Sequence, residues 1–316
     1  MLYAQSDDTR LGVWPVFTKR SQLSLLPRKS GIPTEQRGSQ ALGLAVHFGP
    51  ALSFITTVLV FGRSESIVIS AFLFLSVVNL LVIVWLEEHE PSVDLPTRTL
   101  DAWRKGLSLV FLKGVVAGAI TAITVWTLVG ALMSLITVAE PSAASGWMIA
   151  VAVLATDFAY YWIHRTLNHG HGKKPVQKWF RKIHVVHHSV EVLDFLRGNV
   201  SSFFDTSITG FQVSLGVIAA LMDMDLTSLL ITYVFVLQLQ ATHHANHTFN
   251  IGWLRFIFMD NHAHKMHHCP RGYMVNHGAL FSLWDQWFGT YFEDWTLSSN
   301  YLQKHRIPLP VSRKAI

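Results

Sequence analysis

SIVISAFLFLSVVNLLVIVWL, Ser66–Leu86, runs for 21 residues without a charge. At 1.5 Å of rise per residue this is roughly 30 Å of helix, the thickness of a bilayer's hydrocarbon core. Only a helix or a closed barrel satisfies its own backbone there, and an unbroken apolar run without alternation selects the helix. Comparable stretches at 41–62, 114–138 and 146–163 predict three more spans. A shorter, more polar pair at 204–222 and 226–240, divided by Asp223 and Asp225, predicts a hairpin inserted wholly or in part. The expected fold class is an all-α integral membrane protein of four to six transmembrane helices. Composition agrees, because 14% charged residues is well below the quarter or so typical of soluble domains.

The basic residues orient these spans. Six Lys and Arg fall in 1–40, seven in 164–203 and seven in 241–316, whereas the segments between spans one and two, three and four, and five and six carry Arg63 alone. Cytoplasmic loops carry the excess of Lys and Arg, so the N-terminus and the loops of the second half are expected in the cytoplasm. Residues 100–113, with Arg104, Lys105 and Lys113 among apolar neighbours, predict an interfacial helix. The polar, basic start contains no early apolar stretch of signal-peptide type. The net charge of +5 is expected to face anionic lipid rather than nucleic acid. The chain divides into a cytoplasmic lead segment (1–40), transmembrane helices (41–138), a histidine-rich domain (139–295) and a tail (296–316).

Fourteen of the seventeen histidines lie between His164 and His277. Ten form four clusters: His164 with His169; His184, His187 and His188; His243 with His247; and His264, His267 and His268. Under the orientation above, all four fall on the cytoplasmic side, although the histidines took no part in deriving it. Neutral imidazole is the commonest protein metal ligand, and ten exceed what one first-row ion holds, so the pattern predicts two metal ions close together. In a helix, residues three and four apart share a face. Each triplet therefore reads as a facial set for one metal, with the pairs completing or bridging. His164 and His169 are out of phase on an ideal helix, which predicts a bulge or helix end near Asn168 and Gly170.

A ligating imidazole needs a partner on its other nitrogen. Asp157, two turns before His164 within an apolar span, and Asp260, one turn before His264, are the expected carboxylates, with Asp194 and Asp285 as further candidates. His171, His244, His262 and His277 lie outside the spacing pattern and are expected around the site or on the surface, His244 being the alternative within the third pair. The lone Cys269 excludes an internal disulfide and cysteine-based metal frameworks. The chain has no glycine-rich nucleotide fingerprint and no haem-attachment motif, so electrons for any redox reaction must come from elsewhere.

The segments DFAYYWIHRTLNH (157–169), RKIHVVHHS (181–189), HHANH (243–247), HKMHHCPRGYMVNHG (264–278) and SLWDQWFGTYF (282–292) resemble the fatty acid hydroxylase superfamily. That group includes sterol desaturases, methylsterol oxidases and fatty-acid hydroxylases. The resemblance spans about 147–293. It implies a membrane-bound enzyme with two iron ions, zinc being able to replace them in purified protein. The ligands it implies are His164, His169, His184, His187, His188, His243, His247, His264, His267 and His268. It further implies an O2-dependent lipid hydroxylase or desaturase that takes electrons from an external donor such as cytochrome b5 or a ferredoxin. Its setting would be the bacterial inner membrane or the endoplasmic reticulum. A fused cytochrome b5 domain is absent from the sequence, and His277 stands where many relatives carry tyrosine. A membrane metal-binding or transport protein, and a non-catalytic lipid-binding relative, are the alternatives. A zinc hydrolase would need a carboxylate base in an H-E-x-x-H pattern, which the sequence lacks.

Overall fold

The structure is a computed structural model and describes residues 40–89, 91, 104, 106–108, 110–136, 141–170, 174–189, 193–198, 204–205, 210–247, 249–269 and 274–293. The lead segment before Gln40, residues 100–103, 105 and 109, His171 and the 296–316 tail lie outside the described residues.

Four helices are long and apolar enough to cross a bilayer: α1 (Gln40–Phe61), α2 (Glu65–His89), a third spanning Val115–Met133 and a fourth spanning Gly146–Asn168. The third is a π-helical lead, Val110–Ala117, running into α3 (Gly118–Met133). The fourth is α4 (Gly146–Ile163) extended by a π-helical turn, His164–Asn168. The remaining helices are α5 (Pro175–His188), α6 (Phe195–Gly198), α7 (Phe211–Leu221), α8 (Leu226–Gln240), α9 (Asn261–His267) and α10 (Leu283–Phe288). No strand occurs among the described residues, only a single bridge between Ser142 and Met224. The all-α membrane fold is therefore present. At 11 residues, α7 is about 16 Å long, too short to cross by itself.

The spans carry large exposed side chains such as Leu52, Leu59, Phe74, Leu81, Leu128 and Leu132. Such a surface is stable only in lipid. The α1–α2 link turns at Gly62, whose φ of +102° is a conformation glycine adopts without steric cost. At this end Arg63 donates to Ala144 O (2.9 Å) and to Ser228 Oγ (2.7 Å), tying the link to the starts of α4 and α8. Phe54 and Val58 of α1 pack with Val68 and Ala71 of α2 and with Ile231 and Val234 of α8. Asn79 of α2 donates to Gln238 of α8, which donates on to Ser76 (3.3 and 3.1 Å).

At the opposite end Glu87, buried near the end of α2, accepts from the backbone N–H groups of Phe195 (2.7 Å) and Asn246 (2.8 Å). The end of a span thereby clamps two of the loops that carry the histidines. The start of α1 and the C-terminal ends of α2, α4 and α8 all lie at this end. The expected gathering of the clusters at one end of the bundle follows from that alternation.

Helices α3 and α7 approach closely at Gly216, where a Cβ would stand 2.6 Å from Ala122 O. Gly216→Val is expected to lower stability by about 1–3 kcal/mol through overpacking. Gly130→Ala, with open space around its Cβ position, should leave stability nearly unchanged. Thermal unfolding of the two variants in detergent checks the contrast.

Candidate metal centre

Helix α5 begins with Pro175 at its first turn, where proline's missing N–H costs nothing, and ends on His184, His187 and His188. Helix α9 is opened by Asp260, whose Oδ1 accepts from Ala263 N (2.8 Å), and presents His264, His267 and, at its end, His268. The two triplets do not each form one set. His184 and His188 join His164, His169 and His267, with one ring nitrogen from each within 4.8 Å of the others. His264 and His268 join His187 and His244 in a second set of the same kind. Each helix therefore gives its first and last histidine to one set and its middle one to the other. On a helix, residues four apart diverge by about 40° and adjacent residues by about 100°, so the middle imidazole points aside. The two sets abut, with the rings of His188 and His268 stacked at 4.3 Å.

The π-helical turn brings His169 into the first set. Bonding from His169 N to His164 O (3.0 Å) spans five residues, so a pair out of phase on an α-helix comes onto one side. The third pair is placed differently from expectation. Helix α8 stops at Gln240 and 241–244 form a turn, so His243 and His247 share no helical face. His244 enters the second set in their place. The ring of His243 stacks on that of His47 at 5.7 Å, while His247 Nδ1 accepts from Asn261 Nδ2 (3.3 Å). His47, Thr242, His247, Asp260 and Asn261, with Val46, Phe249 and Ile251, line a small pocket beside α1. His262 lies on α9 outside both sets.

The partners of the ring nitrogens also depart from expectation. Asp205, unremarked in the sequence, faces His184 Nδ1 through both oxygens at 3.1 Å. His164 Nδ1 donates to His277 O (2.7 Å), and His267 Nδ1 donates to Val275 O (2.8 Å). Among the described residues, Asp157 has no hydrogen bond to a histidine. It accepts from Leu280 N (2.8 Å), Phe281 N (3.0 Å) and Trp284 Nε1 (2.8 Å). Asp285 accepts from His277 N, Gly278 N (both 2.8 Å) and Thr290 Oγ1 (2.6 Å). Together they fix the 275–281 loop whose carbonyls hold His164 and His267. Asp194 caps α6 by accepting from Arg197 N (2.8 Å). Asp260 Oδ2 has no hydrogen-bond partner, and burial pushes this carboxyl up to about 6. Burial likewise pulls the Lys265 ammonium down to about 7, against the attraction of Glu87 and Asp260.

These partners decide which nitrogen is bare. A carbonyl only accepts, so His164 and His267 carry hydrogen on Nδ1 and a lone pair on Nε2; Asp205 fixes His184 in the same way. Burial, reinforced by neighbouring imidazoles, holds His169, His188 and His267 well below the ordinary imidazole range, and His244, His264 and His268 likewise. The rings are therefore neutral. His164 Nε2 and His184 Nε2 stand 3.1 Å apart, an arrangement that suits a cation between them. The His169–His164 and His188–His184 Nε2 pairs repeat the 3.1 Å spacing, and His267 Nε2 is buried without a hydrogen-bond partner. In the second set the Nε2 separations among His244, His264 and His268 are 2.9–3.3 Å. With metal–nitrogen bonds of about 2.1 Å, nitrogens 3.1 Å apart subtend about 95°. That is a cis angle of five- or six-coordination and is tighter than a tetrahedral zinc site. The donor sets thus fit two first-row transition ions.

Residues 149–290, a little under half of the chain, match the family model described as fatty acid hydroxylase. All nine gathered histidines lie within that match, which supports a relation to the fatty acid hydroxylase superfamily. It is also similar to a Dictyostelium discoideum protein provisionally named methylsterol monooxygenase, at 28% identity over 144 residues, covering 45% of this chain and 49% of the relative. The chain thus spans about half the length of that relative. No solved structure matches significantly.

Asp285→Ala strands the buried N–H groups of His277 and Gly278. It is expected to cost more than about 2 kcal/mol, read as a lowered unfolding midpoint in detergent. An unchanged midpoint would show that Asp285 does not hold the loop.

Proposed function

We propose that this chain is a membrane-embedded di-iron oxygenase that uses O2 and electrons from another protein to hydroxylate a lipid. Desaturation is the alternative outcome of the same hydrogen abstraction. The observation that carries the reading is the pair of adjoining all-imidazole sets, with bare Nε2 atoms turned toward one another at one end of a membrane-helix bundle. Imidazole suits iron among the first-row metals. Neither set includes a carboxylate ligand able to serve a zinc hydrolase as base.

His164, His169, His184, His188 and His267 would hold one iron, and His187, His244, His264 and His268 the other. Bound iron supplies the activation of oxygen that attack on an unactivated C–H bond requires. The residues supply position and dryness. Asp205 and the carbonyls of Val275 and His277 keep the hydrogen on Nδ1, so that Nε2 stays available. The five residues of the first set are all buried, and two of the second set, His187 and His244, are partly exposed. The first set is thereby shielded from bulk water, which protects reactive chemistry from side reactions. Electrons would come from a separate donor, because the sequence holds no haem or nucleotide motif.

The basic-residue bias supports a cytoplasmic position for this end of the bundle, and a lipid substrate would then reach it from the cytoplasmic leaflet. The methylsterol monooxygenase name of the Dictyostelium discoideum relative supports a sterol-type lipid among the candidate substrates.

Lipids from cells producing the wild-type chain should contain a species one oxygen heavier than in cells producing His188→Ala. The purified wild type should hold two irons per chain. Asp205→Ala should weaken retention of iron about 10–100-fold against a chelator. Equal lipid profiles in cells shown to supply iron and a donor, or a wild type without iron, would overturn the reading.

A further inference from the structure

His277 is the fully buried imidazole beside the first set that belongs to neither. Its side chain has no exposed surface, and neither ring nitrogen has a hydrogen-bond partner. Nδ1 stands 3.8 Å from Asp285 Oδ1, beyond hydrogen-bond length. Its ring is walled by those of His164, His169 and His267 at centroid distances of 5.8, 5.5 and 5.6 Å, with Tyr161 at 6.2 Å.

Its position is not accidental slack. Asn276 is held at φ +54°, where residues other than glycine are uncommon. The Asn276 side chain donates to Ala263 O (2.9 Å) and Phe292 O (2.8 Å) and accepts from Phe292 N (2.8 Å). The His277 backbone is fixed on both sides as well, its N–H on Asp285 and its carbonyl on His164 Nδ1. The chain therefore pins a polar ring, at the cost of its hydration, in a place where protein supplies it no partner. Buried polar groups are hydrogen-bonded in nearly all proteins, so this ring calls for a partner that is not protein.

The donor set indicates which ligand. Five imidazoles leave one position of a six-coordinate ion for a small non-protein group. We propose that His277 is a further residue of the first metal position, hydrogen-bonding the small oxygen- or nitrogen-donor ligand that completes the five-imidazole set. The proposal rests on the metal-centre reading above. It assigns His277 a task distinct from that of the ligands, because its nitrogens lie outside the converging group. The two ring nitrogens of an imidazole can donate or accept, according to the ligand presented.

The probe is azide, added to the full-length, iron-loaded protein in detergent and followed by its charge-transfer absorption. His277→Phe and His277→Leu are each expected to retain two irons per chain and to bind azide about tenfold more weakly than the wild type, the usual effect of one lost hydrogen bond. His277→Gln, which keeps a donor, should recover part of that affinity. In the wild type the antisymmetric stretch of bound azide should shift in D2O, and this measurement needs no variant. Unchanged azide affinity in both apolar variants with two irons bound, or no D2O shift, would overturn the proposal. Loss of an iron from His277→Phe and His277→Leu would overturn it differently, by making His277 itself a ligand. A wild type that takes up no transition metal would remove the metal-centre reading along with it.

Discussion

Two imidazole nitrogens face each other 3.1 Å apart in a buried site, and the architecture around them is the means of keeping them there. His164 would turn away were its Nδ1 hydrogen not held by the carbonyl of His277, and His267 were it not held by that of Val275. Those carbonyls lie on a loop that owes its shape to Asp285 beneath it and to Asp157 on α4. A carboxylate within a membrane span therefore acts on the site at two removes, through loop backbone rather than through a histidine. The SLWDQWFGTYF segment has the same logic: Trp284 reaches Asp157, and Asp285 gathers the turn. Its chemistry is that of a brace.

The membrane helices contribute more than a float. Glu87 at the end of α2 accepts from two separate loops, so a span fixes the approach of the segment carrying His244. Gly198 packs against His244 so closely that a Cβ there would overlap the ring's own Cβ and Cγ. The second set is thus positioned by a short helix pressed against a turn, and the first by a π-helical turn continuing a span. That difference in support accompanies the difference in exposure between the two sets.

The spans were legible in the sequence because a long uncharged run admits one solution in lipid. The histidines were legible as a group because their number exceeds any ordinary use. Their division was not. Treating each triplet as one facial set ignored the wide angle between adjacent residues on a helix, which sends His187 and His267 across to the opposite set. The third pair failed where helical spacing was applied to residues beyond the end of α8, and only the fold shows that His244 stands on the inner side of that turn. Asp205 left no local signal, since its partner His184 lies 21 residues away through a segment without regular spacing. Asp157 was recognised as unusual for the right reason, an ionisable group in an apolar span, but its partners lie more than 120 residues downstream.

The crossed donation from α5 and α9 has a mechanical consequence. Because each helix feeds both sets within one turn, the helical pitch of α5 and α9 links the two sets directly. Sliding or tilting α5 carries His184, His187 and His188 together, so the two centres move as marks on one ruler.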